Sequence, residues 1–313
     1  FWTDETTDPV EFDWIIKALQ TEKPVAISGL TYNGESQTGV AAGTGYNLAG
    51  TYTAKDAGTY NAKVLLADGY EWSNGTTDAL TLTWSIAKKA VAKPSAAKDL
   101  VYNGKSQTGV AAGEGYTVTG NTQTDAGDYT AVAALDKNYA WADGTTDSAK
   151  AAWSIAKKTV AKPSAAANLV YTGSEQTGVA AGEGYTVTGN TQTNAGSYAA
   201  VATLDKNHAW TDGTTAPATV QWTITKAAQN VIAKTASKSY KIATVKKKAQ
   251  SFTIGAAADG TLTYKVTATP SKKAAKYLTV TKKGKVTVKK GAPAGTYTIT
   301  VSAAETANYQ AAF

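Results

Sequence analysis

The sequence predicts an all-β protein made of small β-sandwich modules arranged in tandem. Three observations predict this class: a repeat with a period of about 70 residues, apolar residues that alternate with polar ones, and glycine-containing turns between the alternating segments. A fixed period of this length indicates repeated structural units. Alternation with a period of two marks a strand that buries one face.

The repeat is clearest in pairs of tryptophans that recur at one constant spacing, as in Trp72 and Trp84. Two shorter motifs, Tyr-x-Gly and Asp/Asn-Ala-Gly-x-Tyr, precede each complete pair, and the stretch Gly109 to Thr124 returns letter for letter as Gly178 to Thr193. Buried aromatic side chains contribute large apolar areas to small modules. We therefore expect the core to contain Trp14, Tyr32, Tyr60, Trp72, Trp84, Tyr102, Tyr129, Trp141, Trp153, Tyr171, Tyr198, Trp210 and Trp222.

The repeat also predicts module boundaries. Trp2 and Trp14 have the same spacing as the later pairs, and Trp14 precedes Tyr32 by the same interval that separates Trp84 from Tyr102. Residues 1–22 therefore match the final strands of a preceding repeat. The predicted modules are 1–22, 23–89, 90–158, 159–226 and 227–313. In the last module Asn308-Tyr309 falls where Asn138-Tyr139 does, and the final strand that we expect after this pair is missing.

Strands follow from alternating apolar residues. Val10, Phe12, Trp14 and Ile16 alternate in the same way as the residues from Leu80 to Ile86. Turns such as Asn33-Gly34 and Asp143-Gly144 separate the strands, and no segment has the apolar period and caps of a helix. Proline fixes its own φ angle, so the prolines between modules predict stiff junctions and a semi-rigid, monomeric rod. These junction prolines are Pro24, Pro94 and Pro163.

Residues 227–313 differ from the other modules in composition. They carry 15 lysines and the two acids Asp259 and Glu305, a charge of +13, whereas residues 1–226 carry 16 lysines and 22 acids, a charge of −6. Short alternating segments such as Lys285 to Val288 predict another β-sandwich. A basic surface attracts polyanions without a specific site. The lysines expected to contact an anionic wall polymer are Lys246, Lys247, Lys248, Lys282, Lys283, Lys289 and Lys290, and the alternative is a solvated strand face that resists aggregation.

The order Tyr-x-Gly, Gln-Thr-Gly, Gly-Tyr, Asp/Asn-Ala-Gly-x-Tyr, Trp and Trp-Ser/Thr-Ile-x-Lys resembles the bacterial immunoglobulin-like repeats of the MBG type. The resemblance covers residues 1 to 226. Residues 227–313 are similar to immunoglobulin-like domains with a lysine-rich hairpin, here Lys282 to Lys290. The resemblance implies an immunoglobulin-like sandwich, a location at the bacterial cell surface or cell wall, and adhesion, spacing or display. It implies no catalytic residue and no cofactor.

Candidate chemical sites are sparse. His208 is the only histidine and takes the place of Tyr70 and Tyr139, which predicts a variable loop residue rather than a catalytic base. The Gly43-Thr44-Gly45 segment has neither the spacing nor the following helix of a phosphate loop, so it predicts a turn. Asp143 and Asp147 could hold calcium, or form a hydrogen-bonded turn.

A crosslink between a lysine and an aspartate or asparagine is a further alternative, with Lys93 or Lys162 as the lysine. No acid pair, cofactor loop or activated nucleophile stands out, so the sequence predicts a non-enzymatic protein without metal or cofactor.

Two functions are consistent with these observations. The first is a stalk or spacer segment of an adhesin-like surface protein. The second is a multivalent module that recognises a host glycan or protein through loops such as Thr117–Asp125 or Asp136–Trp141. The few base-stacking aromatics in the basic module and the absence of arginine disfavour nucleic acid, and no apolar run could span a membrane. The strand Val10–Ile16 of one copy could complete an open sheet of another copy.

Overall fold

The computed structural model describes residues 11–269 and 272–313. It forms two compact units, Phe1–Ala156 and Lys157–Phe313. Each unit contains two separate hydrophobic cores, and each core is assembled from residues of one stretch of the sequence. The predicted fold class is confirmed: the chain is an array of small immunoglobulin-like β-sandwich modules.

The first unit contains fifteen strands among its described residues. They are β1 (Leu19–Thr21), β2 (Leu30–Thr31), β3 (Gln37–Thr38), β4 (Tyr46–Gly50), β5 (Thr53–Ala54), β6 (Gly58–Leu66), β7 (Tyr70–Trp72), β8 (Leu80–Ala87), β9 (Lys89–Val91), β10 (Gln107–Thr108), β11 (Tyr116–Thr119), β12 (Thr122–Gln123), β13 (Gly127–Leu135), β14 (Tyr139–Trp141) and β15 (Ala149–Ile155).

The main sheet of the first repeat has the order β2-β8-β6-β4. Its central strands β6 and β8 are antiparallel, and Tyr60 lies opposite Trp84. The second repeat uses the order β11-β13-β15, with Tyr129 opposite Trp153. In both sheets burial rises at every second position, which is the pattern that the alternation predicts.

Each main sheet packs a tryptophan ring directly onto a glycine backbone. A Cβ atom on Gly109 would lie 1.8 Å from Cε3 of Trp153, and Gly39 has the same relation to Trp84. The indole N–H of Trp153 donates to the carbonyl of Gly120 at 3.1 Å. The ring is therefore buried without an unsatisfied polar atom, which is a condition for a stable core.

Trp14 does not belong to a core, so the prediction for this residue is wrong. Its side chain is 91% exposed, and residues 11–18 form no strand. Strand β1 begins only at Leu19 and pairs with β7 in parallel. An alternating strand stays exposed where no sheet covers its apolar face. Trp2 and Val10 of the same prediction lie outside the described residues.

The second unit contains fourteen strands, one α-helix and one 3-10 helix among its described residues. They are β16 (Lys158–Val160), β17 (Gln176–Thr177), β18 (Tyr185–Thr188), β19 (Thr191–Gln192), β20 (Gly196–Leu204), β21 (His208–Trp210), β22 (Ala218–Ile224), β23 (Ile232–Ala233), α1 (Ile242–Lys247), β24 (Gln250–Thr253), β25 (Ala256–Ala257), β26 (Leu262–Thr269), the 3-10 helix (Lys272–Tyr277), β27 (Leu278–Val280), β28 (Lys285–Val288) and β29 (Thr296–Ala303).

The third repeat has the sheet order β18-β20-β22, with Tyr198 opposite Trp222. The lysine-rich module differs: β24, β28 and β27 form one sheet, and β26 and β29 form another. The helix α1 was not predicted. It has six residues and buries only Val245, so it is too short to leave an apolar period in the sequence.

Candidate functional site

The contacts between neighbouring modules within each unit are built from polar side chains that form several hydrogen bonds. Within the first unit, β9 crosses the predicted boundary between residues 89 and 90 and pairs in parallel with β14 of the second repeat. The amide of Lys89 donates to the carbonyl of Asn138 at 3.0 Å, and that of Ala142 donates to the carbonyl of Val91 at 2.8 Å. The chain therefore passes from one repeat to the next as a paired strand rather than as a free linker.

The side chain of Asn138 locks this joint. Its Oδ1 accepts from the amide of Ala57 at 2.9 Å, and its Nδ2 donates to Oδ1 of Asp56 at 2.9 Å. Asn138 is only 6% exposed. We call this insertion of an asparagine into the Asp/Asn-Ala-Gly turn of the preceding repeat the asparagine clamp. Both groups of the amide are satisfied, so burying it carries no unpaired polar atom.

Charges and rings surround the clamp. The Nζ of Lys137 lies 2.8 Å from Oδ2 of Asp56, and the ring of Tyr32 meets that of Tyr139 edge to face with centroids 5.5 Å apart. The hydrogen bonds from Lys137 and then Asn138 lower the pKa of the Asp56 carboxyl. The bond to Asp56 in turn raises the pKa of Lys137. Both shifts favour the charged pair that the joint contains.

A second ion pair closes the other side of the joint. The Nζ of Lys89 lies 2.6 Å from Oε1 of Glu114, and the hydroxyl of Tyr139 donates to the same oxygen at 3.3 Å. The bond from Lys89 lowers the pKa of Glu114, whereas burial raises the pKa of Tyr139. The pair is exposed, so it contributes to orientation more than to stability.

The second unit repeats the clamp with a different module. Oδ1 of Asn308 accepts from the amide of Ala195 at 2.9 Å, and its Nδ2 donates to Oδ1 of Asn194 at 3.1 Å. The rings of Tyr171 and Tyr309 meet edge to face at 5.4 Å. The lysine-rich module therefore docks on the third repeat through the contacts that join the first repeat to the second.

The tyrosine of each Asp/Asn-Ala-Gly turn stabilises the turn that receives the clamp. The hydroxyl of Tyr60 donates to the carbonyl of Asp56 at 2.7 Å, and Tyr198 bonds to Asn194 in the same way at 2.8 Å. In the lysine-rich module, Tyr297 donates to the carbonyl of Pro293 at 3.0 Å. The same turn therefore begins β6, β20 and β29.

The candidate calcium site is a hydrogen-bonded turn. Oδ1 of Asp143 accepts from the amide of Thr145 at 3.1 Å and from its hydroxyl at 2.6 Å. Asp147 uses its backbone carbonyl to accept from the indole of Trp141 at 2.8 Å. Within residues 11–269 and 272–313, no group of three potential metal ligands occurs.

The lysines considered for crosslinks form ion pairs. The Nζ of Lys93 lies 2.7 Å from Oδ2 of Asp143, and that of Lys162 lies 2.6 Å from Oδ2 of Asp212. About half of each lysine side chain is exposed. The bond from Lys93 holds the pKa of Asp143 well below its usual range.

His208 is not a loop residue, so that prediction is wrong. It lies in β21, is 3% exposed, and its Nδ1 is 2.7 Å from Oδ1 of Asp205. It occupies the strand position that Tyr70 and Tyr139 hold in β7 and β14, and a Cβ on Gly184 would meet its ring at 2.4 Å. At Gly43-Thr44-Gly45 the chain turns into β4 rather than into a helix.

The structure divides the predicted lysine surface into two parts. The amide of Gly291 donates to the carbonyl of Val245 at 3.2 Å, which brings the end of β28 to helix α1. Lys282 and Lys283 lie at the opposite end of β28. All seven lysines are exposed. One group, which we call the lysine cluster, contains Lys246, Lys247, Lys248, Lys289 and Lys290.

Sequence reasoning missed the role of Asp56 and Asn194 as receivers of the clamp. A signal was present, since the Asp/Asn-Ala-Gly turn and the Asn-Tyr pair recur together. It did not show which turn meets which asparagine.

No helix of the described part of the chain is long and apolar enough to cross a membrane. No known protein-family model matches the sequence, and no curated protein matches it.

Solved structures of extracellular adhesion proteins show a weak likeness. Extracellular cadherin domains 3–6 of protocadherin gamma B2 align over 91% of this chain and 92% of their own, at 12% identity and a TM-score of 0.19. The Escherichia coli adhesin FdeC aligns over 82% of this chain and 91% of its own, at 14% identity and a TM-score of 0.18. Alignments at these scores do not superimpose the whole chains, and they carry nothing about activity or partners.

Proposed function

We propose that this chain is a non-catalytic spacer segment of a bacterial cell-surface protein, located outside the cell or in the cell wall. The asparagine clamp is the observation that carries the proposal. It occurs at the joint within the first unit and again within the second, although the docked modules differ in sequence. A spacer must keep its modules oriented, and ordered joints provide this without any binding pocket.

The clamp adds hydrogen bonds to the covalent connection between the first and second repeats. Asn138 exchanges two hydrogen bonds with the turn at Asp56, and paired strands support it from the other side. Leaving the amide of Ala57 without this acceptor costs about 1–3 kcal/mol if the amide stays buried. Opening the joint to water avoids that cost, so loss of the clamp favours a mobile joint.

The test is a distance measurement across the joint. The protein has no cysteine, so Lys63→Cys and Lys150→Cys attach two dyes to exposed strand positions of the first and second repeats. We expect one narrow distance distribution for the parent and a broader one for Asn138→Ala. Asn103→Ala, which removes only a turn bond to Lys105, is the matched control and keeps the narrow distribution. An unchanged distribution in Asn138→Ala would remove the support for an oriented spacer.

A second function is multivalent recognition of a host glycan or protein, favoured by the identical segments Gly109–Thr124 and Gly178–Thr193. Of the two candidate loops, Asp136–Trp141 contains Asn138 and Lys137, which already form contacts at the joint. The remaining candidate is Thr117–Asp125, whose turn residues are mostly exposed. A glycan array probed with the full chain tests it, and binding that Asn121→Ala or Thr122→Ala leaves unchanged would exclude this loop.

We also propose that the lysine cluster contacts anionic wall polymers of the teichoic-acid kind. Glu305 is one of two acids in residues 227–313, and it pairs with Lys226, so little negative charge opposes the cluster. Such attraction is screened by salt. We expect retention on a purified wall fraction that weakens as salt rises and that falls in Lys246→Gln/Lys247→Gln. Retention should also fall in Lys282→Gln/Lys283→Gln at the far end of β28, because these lysines belong to the same predicted set of contacts, and retention that ignores salt would contradict the proposal.

A further inference from the structure

The chain enters each of the three repeats along segments that run parallel to their partners. In the second repeat β9 pairs in parallel with β14, and Val101 then forms a parallel bridge with Ala156, directly after β15. The third repeat has the same two pairings, β16 with β21 and Val170 with Thr225, and the first has β1 with β7 and β2 with β8. Each repeat therefore has an entry segment that lies beside the end of its last strand and points in the same direction. The entry segments are residues 30–32, 100–102 and 169–171.

Main-chain hydrogen bonds join each entry segment to the last strand. In the second repeat the amide of Tyr102 donates to the carbonyl of Ala156 at 2.9 Å, and the amide of Ala156 donates to the carbonyl of Leu100 at 2.8 Å. Thr225 makes the same two bonds in the third repeat, and in the first repeat the carbonyl of Ala87 accepts from the entry segment at 2.9 Å. In the second and third repeats, this short pairing uses both polar main-chain groups of one residue at the end of the last strand.

A glutamine side chain holds each entry segment at its middle residue. Nε2 of Gln107, from the Gln-Thr-Gly motif, donates to the carbonyl of Val101 at 3.0 Å. Gln37 and Gln176 make the same bond at 3.0 Å in the first and third repeats. The recurring motif therefore fixes the entry segment beside the last strand in all three repeats.

A left-handed residue directs the entering chain from one sheet to the other. Asp99 has a φ of 58° and Asn168 a φ of 57°, and Gly29, with a φ of 75°, holds the same position in the first repeat. Among residues other than glycine, aspartate and asparagine are enriched in this conformation. Before this position the amide of Ala97 donates to the carbonyl of Gly109 at 2.7 Å, and after it the entry segment meets the last strand. The entering chain is therefore bonded to both sheets of the sandwich.

The direction of these strands determines how a repeat responds to tension along the chain. A pull on the two ends of a repeat draws the entry segment backward along its own axis and the last strand forward along the same axis. In parallel neighbours this motion slides one strand past the other, so the hydrogen bonds that cross between them are loaded together. A pull across the strands opens the bonds one after another from one end. Unfolding under force depends on the unfolding rate, and this rate is lower when several bonds must break in one step.

We propose that the three repeats bear tension, and that the parallel pairs formed by the entering chain are the elements that resist it. In the second repeat the load passes from β9 into β14 and from residues 100–102 into the end of β15. The core between these pairs stays closed for as long as the pairs hold. This resistance belongs to each repeat by itself, so it does not depend on the orientation of the joints.

Pulling the second repeat in two directions is the test. The protein has no cysteine, so Lys88→Cys and Lys157→Cys attach handles at exposed positions on either side of this repeat in the full chain. Asp128→Cys and Ser154→Cys attach them to exposed residues that lie opposite each other near one end of β13 and β15, which pulls across the strands. In optical tweezers we expect a higher unfolding force through positions 88 and 157 than through 128 and 154. An equal or lower force through 88 and 157 would overturn the proposal.

Two variants identify the bonds that resist the pull. Ala156→Pro removes the amide that donates to Leu100, and Gln107→Ala removes the side chain that holds Val101. At constant force through positions 88 and 157, each should speed unfolding roughly 2- to 10-fold, the effect of one hydrogen bond that breaks in the transition state. Through positions 128 and 154 the rate should stay the same. Asn103→Ala, which removes a turn bond directly after the entry segment, is the matched control and unfolds like the parent.

The outcome is distinguishable from that of the spacer test. Asn138→Ala removes the clamp of the joint, whose partners lie in the first repeat, and should leave the unfolding rate through positions 88 and 157 unchanged. Gln107→Ala should leave the distance distribution across the joint narrow, because its bond lies within the second repeat. If Gln107→Ala unfolds under force at the rate of the parent, the entry segment does not carry the load and the proposal is wrong.

Discussion

At the scale of residues, two kinds of polar and aromatic positions organise this protein. Tryptophan rings lie on bare glycine backbone in the cores, and single asparagines lie in the turns of the neighbouring module. Both arrangements depend on close contacts, which adding a Cβ to the glycine or removing one end of the asparagine amide would disturb. The repeat therefore preserves a glycine and an asparagine for opposite reasons: one must lack a side chain, and the other must present both ends of an amide.

The glycine beside the tryptophan leads to a stability prediction. In Gly109→Ala the new Cβ would overlap the Trp153 ring, since the two would be 1.8 Å apart. Overpacking of this kind costs about 1–3 kcal/mol, so we expect the second repeat to unfold at lower denaturant concentration, followed by urea titration. Thr108→Ala changes an exposed neighbour and should have little effect. A midpoint for Gly109→Ala equal to that of the control would contradict the packing described.

At the scale of elements, the joint of the first unit consists of paired strands with an ion pair on each side. Strand β9 crosses from the first repeat into the second and pairs there with β14, and the ion pairs of Lys137 and Lys89 flank the pairing. Asn194 stands in the second unit where Asp56 stands in the first. The clamp therefore works with a neutral or a charged receiver, but only the charged one responds to pH.

Acid should loosen the joint of the first unit. The lowered pKa values of Asp56 and Glu114 mean that their contribution is complete above their usual values, which are about 4, and is lost as pH falls through the lower values of the folded protein. The pKa values of Lys137 and Lys89 are raised, so both lysines stay charged through neutral pH. The ion pairs are lost only when the pH rises above about 10.4, the usual pKa of lysine.

We expect the distance distribution between the dyes at positions 63 and 150 to stay narrow from about pH 5 to 9 and to broaden below about pH 4. Asp56→Asn, which copies the receiver of the second unit, should reduce this broadening and leave the distribution at neutral pH unchanged. A variant that broadens in acid as much as the parent would show that Asp56 does not carry the pH dependence.

At the scale of the whole molecule, the lysine-rich module differs from the three repeats in strand pairing and in charge. The central strands β6, β13 and β20 of the repeats pair along both edges, whereas β29 pairs among the described strands with β26 alone, in a module that contains a cavity of about 790 Å³. The same module carries a charge of +13, whereas residues 1–226 carry −6.

Strand β29 should be less protected than β20, because among the described strands it pairs with β26 alone. We expect the amides of β29 to exchange with solvent faster than those of β20, which is paired on both edges, when hydrogen exchange is followed residue by residue. Equal protection of the two strands in the chain alone would contradict the half-paired arrangement.

Much of the fold followed from local pattern. The alternation and the tryptophan spacing predicted the β-sandwich class and its central strands, because a strand with one buried face leaves a period of two in any sequence. The turns at Asn33-Gly34 and Asp143-Gly144 were predicted for the same kind of reason, since their backbone needs residues of that type.

Only the tertiary structure decided what the patterned residues touch. Asp56 and Asn138 are 82 residues apart, and no local feature of either indicates the other. The sequence predicts a loop residue at His208 and a core residue at Trp14. In the structure His208 is buried in β21 and Trp14 is exposed. The periodicity of a strand depends on the strand alone, so the sequence determines it. The burial of a residue and its contact partners depend on which surfaces meet, so only the assembled fold decides them.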